Sequence, residues 1–332
     1  MRLCPRRRAF IAGLGGAVLW PLAARAQQRE RVRRIGVLMP WAADDPEMQA
    51  RDRAFRQALQ ELGWTDGRNV LIEYRWGVVD VDRARKQAAE LITLAPDVIL
   101  ASASPTVTGL QQVTRTVPIV FVNVIDPVGA GYVASLARPG GNTTGFTVFE
   151  YGLSGKWLEM PKQIAPRVMR VAVFRDPAIS SGIGQFAVIQ AVAPLFGVEL
   201  TPYDTRDAGE IERAFTDIAR RGIGGLIVTG SATAGTHRDL IVGLVARHRL
   251  PAIYYDRSWV SAGGMISYGP DLVQGYRRAA TYVDRILRGE KPSDLPVQAP
   301  TMYLLSINLK TAKALGIEVP ATIRALANEV IE

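Results

Sequence analysis

Twice along the chain, short β-branched runs alternate with longer amphipathic stretches, and few folds accept that rhythm. Residues 34–39, 70–74, 97–101 and 118–122 predict strands. Residues 46–62 and 81–94 predict helices, with a third near 105–113. In the first helix Phe55, Leu59 and Leu62 share one face, arginines lie opposite, and Gly63 stops the turn. Such a βαβαβαβ order predicts a parallel sheet covered on both faces. Around Gly140-Gly141-Asn142 the rhythm breaks, and residues 143–149 read as a crossing segment. It then restarts, with strands at 169–174, 198–203, 225–229 and 251–255 separated by helices at 183–196, 208–221 and 236–249. A long helix at 272–288 follows Gly269-Pro270. After the Pro-rich stretch 291–300 come a strand at 303–307 and a helix from Asn308. These late elements are expected to return to halves already built. The expected fold class is α/β, two doubly wound parallel-sheet lobes.

The first 26 residues read as a cleavable export signal. Four arginines precede an apolar run of small residues, and Ala24-Arg25-Ala26 offers a small-x-small cleavage site. Arg7-Arg8-Ala9-Phe10-Ile11 also fits a twin-arginine signal. The run is too short to anchor the chain in a bilayer. Cys4, the one cysteine, precedes it and is not placed as a lipoprotein cysteine. Removing this segment lowers the formal charge from +9 to +4, because five of the arginines lie in it. That residue of charge argues against a nucleic-acid partner, which calls for a dense basic stripe. The mature chain is expected to be soluble and periplasmic, a monomer without disulfides.

Two open parallel sheets facing each other would leave a cleft at the carboxyl ends of their strands, where helix starts and loop amides converge. Trp41 follows the first strand, Ser102 and Ser104 the third, and Asn123 and Asp126 the fourth. In the second half Ser180 and Ser181 lie in the loop after the first strand. Thr229 and Ser231 follow the third, and Tyr254 and Asp256 close the fourth. This set suits a small zwitterion. Hydroxyls and amides would hold a carboxylate, Asp126 or Asp256 an ammonium, and Trp41 or Tyr254 would cover an apolar body. Each has a plainer reading. Ser102 and Ser104 suit helix caps, Asp126-Pro127 a turn, Asp256 a pair with Arg257, and Trp41 ordinary packing. The stretch Ser180-Ser181-Gly182-Ile183-Gly184 lacks the lysine of a phosphate-binding loop and reads as a helix start.

Catalytic signatures do not emerge. His237 and His248 stand eleven apart inside a helical pattern, a spacing that fits no metal motif. A Gly-x-Ser-x-Gly elbow is missing. The expectation is a binding protein with no cofactor and no metal, not an enzyme.

A set of segments carries a resemblance. Asp126-Pro127-Val128-Gly129-Ala130 followed by residues 135–145 (SLARPGGNTTG) is similar to exported ABC transporter substrate-binding proteins related to tryptophan- and tyrosine-binding receptors. Residues 250–254 (LPAIY), 262–264 (AGG), 267–271 (SYGPD), 282–289 (YVDRILRG), 294–298 (DLPVQ) and 307–316 (INLKTAKALG) match too. The resemblance runs from about Arg34 to the C-terminus. It implies the periplasmic-binding-protein type I arrangement, two lobes joined by a three-segment hinge. One lobe would comprise residues 32–148 and about 269–300, the other about 149–268 and 301–332. Hinge movement is expected near residues 146–151, 267–270 and 300–304. It further implies capture of an amino acid or small carboxylate and delivery to a membrane ABC permease. Ser102, Ser104 and Asn123 occupy the places where such receptors grip a carboxylate. The chain departs from the usual pattern at Gly230-Ser231-Ala232-Thr233, where many members carry a Pro-containing loop, and at Met302, where lysine is frequent. A sensory module or an exported enzyme on the same architecture stays open.

Overall fold

The computed structural model describes residues 31–148 and 151–332. The export-signal reading and Cys4 therefore lie outside the described residues. Five strands form the first sheet: β1 Arg33–Leu38, β2 Val70–Arg75, β3 Val98–Ser102, β4 Ile119–Val124 and β5 Thr143–Thr147. They run parallel in the order β2-β1-β3-β4-β5. Between them come α1 Pro46–Glu61, α2 Val81–Thr93 and α3 Ser104–Val113. The second half contributes α4 Lys156–Ile164, β6 Arg170–Arg175, α5 Ser180–Val192, β7 Glu199–Asp204, α6 Ala208–Arg221 and β8 Gly225–Val228. It continues with α7 Ala232–Thr236, α8 Arg238–Arg247, β9 Ala252–Tyr254, α9 Ser258–Ser261 and β10 Ile266–Pro270. Its parallel part repeats the first plan as β7-β6-β8-β9-β10. Then come α10 Leu272–Leu287, β11 Tyr303–Asn308, α11 Leu309–Ala314, α12 Ala321–Leu326 and β12 Glu329–Ile331. Strand β11 joins β10 antiparallel, and β12 lies parallel to β11 at the edge.

Alternation along each strand decides which helix it meets. In β3, Val98 and Leu100 share a core with Phe55 of α1 and with Tyr276 and Val283 of α10. Ile99 and Ala101 join Ala84 and Leu91 of α2 and Leu110 of α3 on the opposite face. Both faces are thus covered, which is why these strands are apolar throughout. Helix α10 packs on α1 and the first sheet, although it follows β10 of the second. The chain therefore passes between the sheets three times: after β5, after β10 and before β11. Two α/β lobes with mostly parallel sheets result, as the sequence predicts.

Several local expectations change. Residues 143–147 form strand β5 instead of only a crossing; threonines fit the pleated edge, and Gly145 at φ +156° brings β5 hard against Phe121. The helix expected at 236–249 begins at Arg238 as α8, and a separate short helix, α7, precedes it across His237. Pro194 converts the end of the 183–196 helix into a 3-10 turn. Helix α4 and strand β12 were not expected.

Candidate functional site

A cavity, about 530 Å³ when the open space at its mouth is included, lies between the carboxyl ends of the two sheets, with walls from both lobes. From the first lobe come Trp41, Arg51, Ala103, Ser104 and Asn123; from the second, Ser181, Ser231 and Tyr255. Much of the remaining wall is apolar, including Pro40, Ile125, Val148 and Ile179.

The backbone around the cavity is locally strained. Ala103 has φ 75° and ψ 157°, a region L-residues seldom occupy, and Asn123 has φ 58°. Such strain concentrates where a site is over-determined by its surroundings. At Asn123 the β4–β5 register also shifts, so the strand ends in a bulge. The phenol of Tyr276, fully buried on α10, ties the place together: it is hydrogen-bonded to Ser102 Oγ, and Asn123 Nδ2 donates to it at 3.2 Å. Burial pushes the Tyr276 and Tyr255 phenols up, so both stay neutral donors.

Helices α1, α2, α6 and α10 each start on an aspartate whose side chain accepts from the first turn. Helices α3 and α5 do not: their cap positions are Ala103 and Ile179, and no side chain caps either start. Both residues line the cavity. Two uncapped helix N-termini, one per lobe, thus direct partial positive charge at it.

Arg51 adds a full charge. It is 2% exposed, and its Nε has no hydrogen-bond partner. The nearest acid is Glu47, at the 4.0 Å limit of an ion pair. Burial works against the Arg51 charge, but its surroundings, the carboxylates of Asp256 and Glu47 among them, more than offset this and hold the guanidinium above its ordinary value. Ser181 Oγ, 2% exposed, is the other wall side chain whose buried polar atom lacks a partner among the described residues.

Trp41 bridges the lobes. Its Nε1 donates to Ala232 O of α7 at 3.1 Å. Its ring lies against Gly235, where a Cβ would come 2.1 Å from Trp41 Cζ2. Arg51 of the same lobe and Arg238 of the other approach the ring at 5.2 and 5.8 Å. Beside it Arg238 Nη2 donates to Asp45 Oδ2 at 3.2 Å, a second interlobe contact with both side chains mostly buried.

Five of the residues expected at the site line this cavity: Trp41, Ser104, Asn123, Ser181 and Ser231. The other six sit elsewhere. Ser102 lies behind the wall on Tyr276. Asp126 accepts from Gly129 N and from Tyr151 Oη, so both its oxygens are engaged in a turn and a chain crossing. Ser180 is exposed. Thr229 is fully buried and donates to Phe174 O. Tyr254 is buried and stacked on Trp259. Asp256 is buried behind Tyr255; its Oδ1 accepts from Ser258 N, while Oδ2 has no partner. The glycines at 182 and 184 admit close neighbours, Asp176 O and the Tyr151 ring, and make no anion cradle. Arg51 was missed, yet it carried a signal: it stands four residues before Phe55 and eight before Leu59, in register with the apolar face.

The profile of the family described as ABC transporter substrate binding protein matches residues 35–331. A tyrosine-binding protein of Clostridioides difficile (strain R20291) is 24% identical over 275 residues, 83% of this chain and 79% of that protein. A conserved domain protein from Vibrio cholerae superposes with a TM-score of 0.84 at 26% identity, covering 90% of this chain and all of that one. The ABC domain in complex with L-Trp from Streptococcus pneumonia superposes with a TM-score of 0.83 at 23% identity, covering 90% and 99%. The fold is that of type I periplasmic binding proteins, and the chain belongs to the ABC transporter substrate binding protein family.

Proposed function

We propose that this chain is the extracytoplasmic receptor of an ABC uptake transporter. It is exported by residues 1–26, binds a small amino-acid-like or carboxylate solute in the interlobe cavity, and delivers it unchanged to a membrane permease. The observation that carries this reading is the cavity itself: its walls come from both lobes, and two uncapped helix starts, Arg51 and Ser181 converge on it. Relatives named for tyrosine and L-Trp support a solute of that size.

The lobes of the proposal are residues 32–148 with 269–300, and 149–268 with 301–332. Packing of α10 on α1, and of β11 beside β10, supports these boundaries. Solute bridging both walls would favour the closed arrangement by contacts the open one lacks. Trp41, Ser104, Asn123, Ser181 and Ser231 are the proposed direct contacts.

Thermal unfolding of the mature protein with a panel of amino acids and small carboxylates tests this. A true solute at 100 times its Kd should raise stability by about 2.7 kcal/mol. No shift with any panel member would refute the reading, as would recovery of a chemically altered solute.

A further inference from the structure

The reading above leaves the solute's chemistry open between an amino acid and a simple carboxylate. We propose that it is a carboxylate with an apolar body, that Arg51 is its counter-ion, and that it needs no ammonium group. This rests on the cavity being the solute site.

Among the described residues, Arg51 is the one wall residue with a formal charge, and no aspartate or glutamate lines the cavity. A guanidinium that is 2% exposed, with an unbonded Nε and its nearest acid at 4.0 Å, lacks the close carboxylate that a buried charge calls for; the Tyr276 phenol beside it is a neutral partner. An incoming carboxylate would supply it, in the fork geometry suited to arginine. The uncapped starts of α3 and α5 add positive potential from opposite lobes. Ser181 Oγ offers a further donor.

An ammonium has no comparable place. The neighbouring acids are already engaged or turned away. Asp126 holds Gly129 N and Tyr151 Oη. Asp176 holds Ala178 N and Thr233 Oγ1. Asp45 caps α1 and takes Arg238. Asp271, next to the wall residue Leu272, caps the start of α10 through Val273 N and Gln274 N. Asp256 is buried off the wall, its Oδ1 on Ser258 N. A solute ammonium would therefore enter a mostly apolar cavity facing Arg51 and two positive helix ends, and like charge at short range is disfavoured. The rest of the wall, from Pro40 and Ile125 to Val148 and Leu272, suits a hydrocarbon or aryl body.

Two matched series test the proposal by calorimetry on the mature protein. One is L-phenylalanine, 3-phenylpropanoate and 3-phenylpropanamide; the other is L-leucine, 4-methylpentanoate and 4-methylpentanamide. In a series that binds, the plain acid should exceed both the amino acid and the amide by about tenfold or more. Arg51→Gln should remove the preference of acid over amide, and Arg51→Lys should retain part of it; a thermal melt establishes that each variant folds. Tighter binding of the amino acid than of the plain acid overturns the proposal and leaves the receptor reading standing. So does an acid-to-amide ratio unchanged in folded Arg51→Gln. If neither series binds but another amino acid does, the proposal falls alone. If neither series nor any panel member binds, both fall. The wild-type comparison needs no variant, so misfolding cannot shelter the idea.

Discussion

Replacing Gly235 with alanine should separate lobe closure from lobe stability. Gly235 lies in the short helix α7 of the second lobe, and the atoms a Cβ would meet belong to Trp41 of the first. The contacts would be 2.1 Å to Cζ2 and 2.7 Å to Cε2. Trp41 has little room to yield, being tied to Ala232 O and flanked by Arg51 and Arg238. Accommodating the methyl costs about 1–3 kcal/mol of overpacking strain. Losing the indole hydrogen bond adds about 1 kcal/mol. Closure should thus weaken by about 2–4 kcal/mol, and solute affinity by a factor of about 30 to 1,000. With the lobes apart the clash vanishes, and a helical glycine replaced by alanine is worth up to about 1 kcal/mol in the other direction. Calorimetry should therefore report a much weaker Kd, while unliganded thermal stability holds or rises. Small-angle scattering should show that solute no longer shrinks the molecule. A Kd within about twofold of wild type would refute the closure argument. If Trp41→Ala alone costs as much as the double variant, the clash acts through this contact.

Three further outcomes follow from the same geometry. Asp45→Asn keeps an acceptor for the start of α1 but removes the interlobe ion pair to Arg238, so affinity should fall by about 1.5–3 kcal/mol with the melting temperature nearly unchanged; an unchanged Kd would remove Asp45 from the closure mechanism. Tyr276→Phe strips Ser102 and Asn123 of a buried partner and should cost about 1–3 kcal/mol in denaturant unfolding, along with weaker solute binding; wild-type values in both would mean Asn123 needs no support. Burial, the largest influence, holds the Glu47 carboxyl above its ordinary value of 4.5 against the pull of Arg51. A raised folded value means the folded chain binds its proton first as pH falls. The resulting stability is fully present below about 4.5 and is lost as pH rises through the folded value. Glu47→Gln should flatten that limb of a pH series of denaturation curves, and an unaltered slope would contradict it.

The lobe plan was legible because each parallel strand is buried on both faces and so announces itself as an unbroken apolar run. Residues 97–101 and 118–122 could hardly be anything else. What fails is whatever depends on a partner distant in sequence. Strand β5 has threonines and a glycine instead of an apolar run, and its identity comes from pairing with β4 and with Gln298 beyond it. The break at His237, between α7 and α8, comes two residues after Gly235 and is not marked by a proline. It falls where Trp41, nearly two hundred residues earlier, lodges against Gly235.

The cavity was half legible for a related reason. The rule that solutes gather at strand carboxyl ends identifies the right loops. It does not say which side chain of a loop faces inward, because successive residues point to opposite sides. Where one face is polar, parity can be read from the pattern; in doubly covered strands both parities are apolar and the phase is lost. So Tyr254 stacks inside the core on Trp259, while its neighbour Tyr255, also buried, reaches the cavity wall. Arg51 escapes that ambiguity, since helical spacing does fix phase. An arginine in the apolar register of α1 has either a buried acid or a vacancy for one; Glu47 stands at 4.0 Å, and the buried Asp256 acts on it without forming an ion pair. Charge in the apolar register of an amphipathic helix is therefore the sequence signal for the counter-ion proposed above, one that a search confined to strand tips passes over.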